Sequence, residues 1–189
     1  YIGLELASMY ARYGSQVTVF ELNERLVGRE DEDVALEIQH ILENQGVQFK
    51  FKSRVQEVSN QNEKAVIHYS QDETRYIDRF DAILLATGRS ANTADLGLEN
   101  TGVQMNERGQ IIVNEYLQTD VPHIYAMGDV KGGLQFTYIS LDDYRIVKDH
   151  LFGNKTRTIH NRGHIPYSVF ISPTFSRIGL SEQEATQQG

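Results

Sequence analysis

Hydrophobic and polar positions follow two periods along this chain, and the switch between them marks its elements. From Leu4 to Tyr13 apolar and small residues (Leu4, Leu6, Ala7, Met9, Tyr10, Ala11) run up to Gly14, where a left-handed C-cap costs least, so a helix is predicted. Residues 16–20 (Gln-Val-Thr-Val-Phe) form a short β-branched run suited to a buried parallel strand. Acidic residues Glu30 to Asp33 lead a second helix over 34–44, with Val34, Ile38, Ile41 and Leu42 on one face and Gly46 as its stop. Residues 47–51 read as the next strand.

The pattern then shortens to strict alternation. Segments 54–59, 65–70 and 74–80, separated by Asn60-Gln61-Asn62 and Gln71-Asp72-Glu73, predict an antiparallel meander. Residues 82–86 (Ala-Ile-Leu-Leu-Ala) are apolar throughout and suit the centre of a parallel sheet. The fold class is therefore α/β, a Rossmann-like βαβ unit with an antiparallel meander inserted. Beyond Gly88 a loop and short helix (92–98), strands at 110–113 and 123–126 and a helix over 136–152 are expected. A polar linker over 157–164 precedes a new domain opening at Ile165. The chain starts on the first turn of a helix and stops partway into another, so a partial chain is expected.

Composition narrows the function classes. The 189 residues are 40% hydrophobic with ten tyrosines and eight phenylalanines, ordinary for a globular protein. A net charge of −8 argues against a nucleic-acid or anionic-membrane surface, because neutralising phosphates requires clustered Lys and Arg. No apolar run reaches the ~20 residues of a membrane helix. The absence of cysteine excludes disulfide staples and thiolate metal sites and suits a cytoplasmic setting. The six histidines fall on helix surfaces (His40, His150), strands (His68, His123) and the linker (His160, His164), and none is placed for catalysis.

Three places carry candidate chemistry. Gly3 opens the first helix and Glu21 closes the next strand: a glycine turn lets helix N-terminal amides approach a pyrophosphate, and a strand-end carboxylate accepts from ribose hydroxyls. The same pair also suits close helix–strand packing and an exposed strand end. Ala86-Thr87-Gly88-Arg89 closes an apolar strand and, alone, reads equally as a strand exit with a solvated arginine. Ile124-Tyr125-Ala126-Met127-Gly128-Asp129 ends a strand in Gly-Asp before a glycine pair and a helix. That aspartate suits a ribityl hydroxyl or, more plainly, a turn.

In this order the blocks resemble the pyridine nucleotide–disulfide oxidoreductases. Tyr1-Ile2-Gly3-Leu4-Glu5 matches the family's Gly-x-Gly-Tyr-Ile-Gly-x-Glu from its tyrosine onward. Ala86-Thr87-Gly88-Arg89 with Ala91-Asn92-Thr93 and Leu96-Gly97-Leu98 matches the segment closing the NAD domain, and Tyr125-Ala126-Met127-Gly128-Asp129 the second FAD motif. Residues 165–185 (Pro166, Phe170, Pro173, Gly179, Leu180, Glu184, Ala185) resemble the opening of the α+β dimerisation domain. The segment 132–144, with Thr137 where dihydrolipoyl dehydrogenases carry histidine, is more similar to a mercuric-reductase-like branch linked to reactive-chlorine resistance.

The resemblance implies an NAD(P)-binding domain over 1–91, the C-terminal part of an FAD domain over 92–157, and a linker with the start of the dimerisation domain over 158–189. It also implies roles. Tyr1 gates the nicotinamide pocket, Glu5 lies near the nicotinamide amide, and Gly3 and Glu21 hold pyrophosphate and adenosine ribose. Gly88 and Arg89 line the NAD cleft. Asp129 binds the FAD ribityl chain, and Phe136 and Thr137 present backbone to the flavin. Hydride passes from nicotinamide to flavin, then electrons to an unidentified acceptor, in a homodimer. Glu21 favours NAD(H) over NADP(H), with Arg25 opposing. The redox cysteines and the acid/base pair lie outside the chain, so it carries no catalytic residue and is expected to be inactive alone. A flavin NADH oxidase or peroxidase, or a non-catalytic nucleotide-binding module, are the alternatives.

Overall fold

A computed structural model describes residues Tyr1–Gly189. In chain order its elements are α1 (Ile2–Arg12), β1 (Thr18–Phe20), α2 (Glu32–Asn44), β2 (Gln48–Lys50), β3 (Arg54–Gln61), β4 (Lys64–Gln71), β5 (Thr74–Phe80), α3 (Thr137–Phe152), β6 (Tyr167–Val169), β7 (Phe175–Arg177) and α4 (Glu182–Gln188). Their contacts separate two units, Tyr1–Ala86 with Pro166–Gly189, and Thr87–Ile165.

In the first unit β1 and β2 pair in parallel, with Val19 opposite Phe49, and α1 and α2 supply the apolar faces that cover them. Leu4 and Ala7 of α1 and Ile38 and Leu42 of α2 are buried in one core with Leu26 and Val47, the 3–4 residue spacing that places side chains on one helix face. Gly14 and Gly46 end the two helices at φ +91° and +88°, backbone that a Cβ would strain. The meander forms as expected, β4 central and antiparallel to both neighbours. Its turns fall at Asn62-Glu63 and Asp72-Glu73, all four residues at positive φ, the geometry that matches the twist of two-residue hairpins. Lys50 Nζ bridges the Tyr69 hydroxyl at 2.6 Å and Asp78 at 2.7 Å, fastening the meander to β2.

Residues 166–189 differ from expectation in where their apolar run goes. Val169 and Ile171 are buried with Leu4, Ile38 and Leu42, so the segment read as the opening of a new domain packs into the core of the first unit; Phe170, between them, points outward at 72% exposure. Alternation along an extended chain explains both. Gln45 Nε2 donates to Ser172 O at 2.6 Å and Asp31 accepts from Glu182 N and Gln183 N at the start of α4.

Residues 82–86 are the largest departure. The apolar run lies in no strand ladder, and Leu84 and Leu85 are exposed at 47% and 74%. A strand is stabilised by neighbours on its backbone edges, and this chain supplies none for it. In the second unit the anticipated strands at 110–113 and 123–126 are reduced to single bridges, Met105–Ile111 and Gln118–Tyr125. Their amides serve loop carbonyls instead: Ile111 N reaches Val130 O, and Ala126 N reaches Leu117 O, each at 3.0 Å. The short helix over 92–98 is replaced by one 3₁₀ turn, Leu98–Asn100. Gly97 sits left-handed at φ +64° ahead of it, and Thr93 Oγ1 is engaged with Gly109 O. Leu98, Val103, Ile111 and Ala126 form this unit's core, and Ile139 and Ile146 are the buried apolar residues of α3. Residues 157–164 are not a free linker. Arg157 and Arg162 are ion-paired to Asp142 and Asp143 of α3.

Candidate nucleotide sites

The first site is the N-terminal end of α1. Tyr1 is its N-cap and no side chain caps it, so no side-chain acceptor competes with an anionic ligand for the first amides of this 11-residue helix. Gly3 lies against the end of the apolar run: a Cβ there would sit 3.2 Å from Ala86 Cβ, so the contact needs the missing side chain, as the sequence suggested. Glu21 directly follows β1, and its carboxylate is oriented by Asn23, which donates through N at 2.8 Å and Nδ2 at 2.7 Å. Arg25 turns back on its own loop, Nη2 to Gly28 O at 3.2 Å. Glu5 accepts from Phe170 N at 2.9 Å, a contact with the last segment that the sequence did not suggest.

Tyr1 is not a free lid. Its hydroxyl donates to Glu30 Oε1 at 2.9 Å and its ring stacks on Tyr167, centroids 5.6 Å apart. Burial raises the Tyr1 phenol above its ordinary value, and Glu30 adds to the effect while Tyr167 opposes it.

The second site is built on the turn that precedes α3. Gly128 adopts φ +73° and opens a 3₁₀ turn, Gly128–Lys131. The left-handed backbone favours glycine here, and a Cβ would also displace the Ser140 hydroxyl, 2.7 Å from where it would sit. Beneath it Asp143, fully buried, accepts from Gly128 N at 2.8 Å. Its charge is balanced by Arg162 Nη2 at 2.7 Å and Lys131 Nζ at 3.3 Å. A buried carboxylate survives only with such partners. With the turn fixed from below, Asp129 projects outward and pairs with Arg89 Nη2 at 2.6 Å. Gly88, at φ +117°, turns the chain so that Arg89 follows. Phe136 is the N-cap of α3 and Thr137 its first residue, again with no side-chain cap; the Phe136 ring stacks on Tyr138 at 5.2 Å.

Within each unit the structure thus brings together residues singled out separately: Gly3 with Ala86, and Arg89 with Asp129. It adds Glu30, Tyr167 and Arg177 at the first site and Asp143, Lys131 and Arg162 at the second. Asp143 had a legible signal, since it occupies the buried stripe Ile139–Asp143–Ile146 of α3, and a carboxylate on such a stripe demands a partner. Glu30 had none, because it opens an acidic run that reads as a solvated helix start. Among the histidines, His150 differs from the surface position expected of it. Its ring packs on Tyr116 at 4.7 Å and Tyr125 at 5.8 Å. No group of three or more His, Asp or Glu is placed to hold a metal ion.

The arrangement offers two places that could hold a nucleotide. A helix start without a side-chain cap and a strand-end carboxylate could serve a pyrophosphate and a ribose, and an aspartate on a glycine turn before a second such helix could serve a flavin's ribityl chain and ring. No helix is long and apolar enough to cross a membrane.

Residues 1–143 match the family described as pyridine nucleotide-disulphide oxidoreductase. The chain is 46% identical over 189 residues to the Escherichia coli (strain K12) protein named "Probable pyridine nucleotide-disulfide oxidoreductase RclA", covering 100% of this chain and 42% of that protein. It is 38% identical to a dihydrolipoyl dehydrogenase of Bacillus subtilis (strain 168), covering 97% of this chain and 39% of the relative. A mercuric reductase of Streptomyces lividans is 33% identical, with 100% and 40% covered. Among solved structures, the HOCl-induced flavoprotein disulfide reductase RclA from Escherichia coli superposes with a TM-score of 0.92 at 45% identity, covering 100% of this chain and 42% of that one. The chain spans about two fifths of the length of these relatives. With three quarters of its residues matched by the family profile and the motifs in family order, this chain belongs to the pyridine nucleotide–disulphide oxidoreductases.

Proposed function

We propose that this chain forms the nucleotide-handling centre of an FAD-dependent oxidoreductase that takes hydride from NAD(P)H, NADH by preference, and passes electrons to a disulfide or related acceptor. The carrying observation is Asp129. A partly exposed carboxylate stands on a turn held from below by a buried ion-paired aspartate, and its protein partner is the exposed guanidinium of Arg89, a pair that adds little to stability. In this reading Asp129 accepts a ribityl hydroxyl, and Phe136 and Thr137 offer the first amides of α3 to the flavin. Arg89 sets the direction of the Asp129 carboxylate, and Gly88 turns the chain ahead of it.

At the other site Gly3 admits the pyrophosphate to the start of α1, Glu21 accepts from the adenosine ribose, and Tyr1 covers the nicotinamide with Glu5 near its amide. FAD, when bound, supplies the two-electron chemistry. This chain supplies binding and orientation. It holds no cysteine, so a dithiol step needs residues other than these. A cytoplasmic homodimer completes the proposal.

Anaerobic titration of the full-length protein carrying this chain with NADH tests it. Purification with bound flavin and bleaching of its visible absorbance at about one NADH per flavin is the expected result. A flavin-free protein, or flavin that NADH leaves oxidised, overturns it.

A further inference from the structure

Glu30 is a buried carboxylate that nucleotide binding does not explain. It is 2% exposed although it belongs to a surface-type acidic run, Glu30-Asp31-Glu32-Asp33. Three donors converge on it. Tyr1 reaches Oε1 at 2.9 Å, the Tyr167 hydroxyl donates to the same oxygen, and Arg177 Nη1 donates to Oε2 at 3.0 Å. The Arg177 guanidinium also lies 5.7 Å from the Tyr167 ring centroid, and its Nη2 reaches Glu184 at 2.6 Å. One carboxylate therefore ties the N-cap residue of α1 to β6 and β7.

The three bonds are not equivalent. Arg177 neutralises the buried charge, and losing it would leave that charge uncompensated. Tyr167 is held independently of Tyr1 by its edge contact with Phe175, ring centroids 6.2 Å apart, and by the Arg177 guanidinium 5.7 Å from its ring centroid. Tyr1 is the exposed member, at 39%. If it leaves, Glu30 still holds one cation and one phenol. The arrangement is an anchor with two standing partners and one releasable one.

We infer that Glu30 is the positioning residue for Tyr1, holding the phenol at rest over the start of α1 and setting how readily it swings aside. The inference rests on the reading of Tyr1 as the cover of the nicotinamide site. Glu30 itself touches no cofactor and acts through Tyr1. When only a fraction of molecules is open, apparent affinity falls by that fraction. A hydrogen bond to a charged acceptor biases such an equilibrium by about ten- to a hundredfold. The anchored tyrosine thus makes nicotinamide entry depend on how residues 166–189 pack.

The test uses the flavin-loaded, full-length protein carrying this chain. Tyr1→Phe removes the anchored hydroxyl, keeps the ring and its stack, and strands no charge. Its NADH KM is expected to fall by about tenfold or more, a larger change than any in kcat. Glu30→Gln, which weakens the same hydrogen bond by removing the acceptor's charge, should move KM the same way, and combining the two should add little. A KM left unchanged or raised by Tyr1→Phe, when Tyr1→Ala does change it, overturns the anchor and leaves Tyr1 as the cover. A KM insensitive to both Tyr1→Ala and Tyr1→Phe removes the cover itself, and the inference with it.

Discussion

Arg89 Nη2 and Asp129 Oδ2 stand 2.6 Å apart, with side chains about half and one third exposed. The sequence presents these residues in two separate motifs, and the fold of the second unit makes them one contact. The pair is too exposed to contribute much to stability, but it fixes the direction of the Asp129 carboxylate. Asp129→Ala in the full-length protein should therefore purify with much less FAD, the loss of a charge-assisted bond costing about 1.5–3 kcal/mol. Arg89→Ala should weaken FAD retention less. The ratio of flavin to protein absorbance checks both, and an unchanged ratio for Asp129→Ala would count against its assignment.

Asp143 should matter to stability more than any exposed carboxylate of the second unit. Asp143→Ala leaves Arg162 and Lys131 facing one another without the charge they share and Gly128 N without its acceptor. Such a break costs about 3–5 kcal/mol. Urea unfolding should show a midpoint lowered accordingly, whereas Asp129→Ala, at a partly exposed ion pair, should cost clearly less.

Glu21 should govern the choice of nicotinamide cofactor. Its carboxylate is held by Asn23, and Arg25 is turned toward Gly28 O, so a 2′-phosphate would meet the carboxylate first. Like charges about 4 Å apart repel by roughly 4 kcal/mol at an effective dielectric near 20. NADH is expected to be preferred, and Glu21→Ala should narrow the gap chiefly by lowering the NADPH KM. Equal or better kcat/KM with NADPH in the unmutated protein would show that Arg25 controls the pocket.

Asp149 gives a pH-dependent prediction. It accepts from Arg157 N at 2.9 Å, Thr156 N at 2.7 Å and Asn154 N at 3.3 Å, and these amides, Arg157's above all, hold its carboxyl below the ordinary range. A depressed carboxyl stabilises the fold above its unfolded value, near pH 4, and loses that contribution as pH falls through the folded value. Asp149→Asn should be less stable than the parent at pH 7, with the difference shrinking below about pH 4. A gap in melting temperature that stays constant from pH 7 to pH 3 would contradict this.

How much was legible depended on whether the signal was local. Helices α1, α2 and α3 and the meander were readable because their spacing and turn residues agree within a few positions: Leu4 with Ala7, Ile38 with Leu42, Asn62 beside Glu63. The run 82–86 was misread as a paired strand because apolar content says that a segment wants burial, while a ladder needs neighbours whose presence composition does not report. The bridges at Ile111 and Tyr125 failed as strands for a related reason, their amides being taken by nearby loop carbonyls. Among the site residues, Gly3, Glu21, Gly88 and Asp129 stood out because each closes or opens an element in a fixed order.

The sequence alone determined the family, the order of the motifs, and where each helix stops at a glycine, because these depend on neighbours along the chain. Only the tertiary structure decided what Glu30, Asp143 and Tyr167 are for. A carboxylate in an acidic run looks solvated until Tyr1, Tyr167 and Arg177 close around it. Tyr167 and Arg177 lie 137 and 147 positions from Glu30. Charge burial is a property of what packs on a group, and no local pattern encodes it.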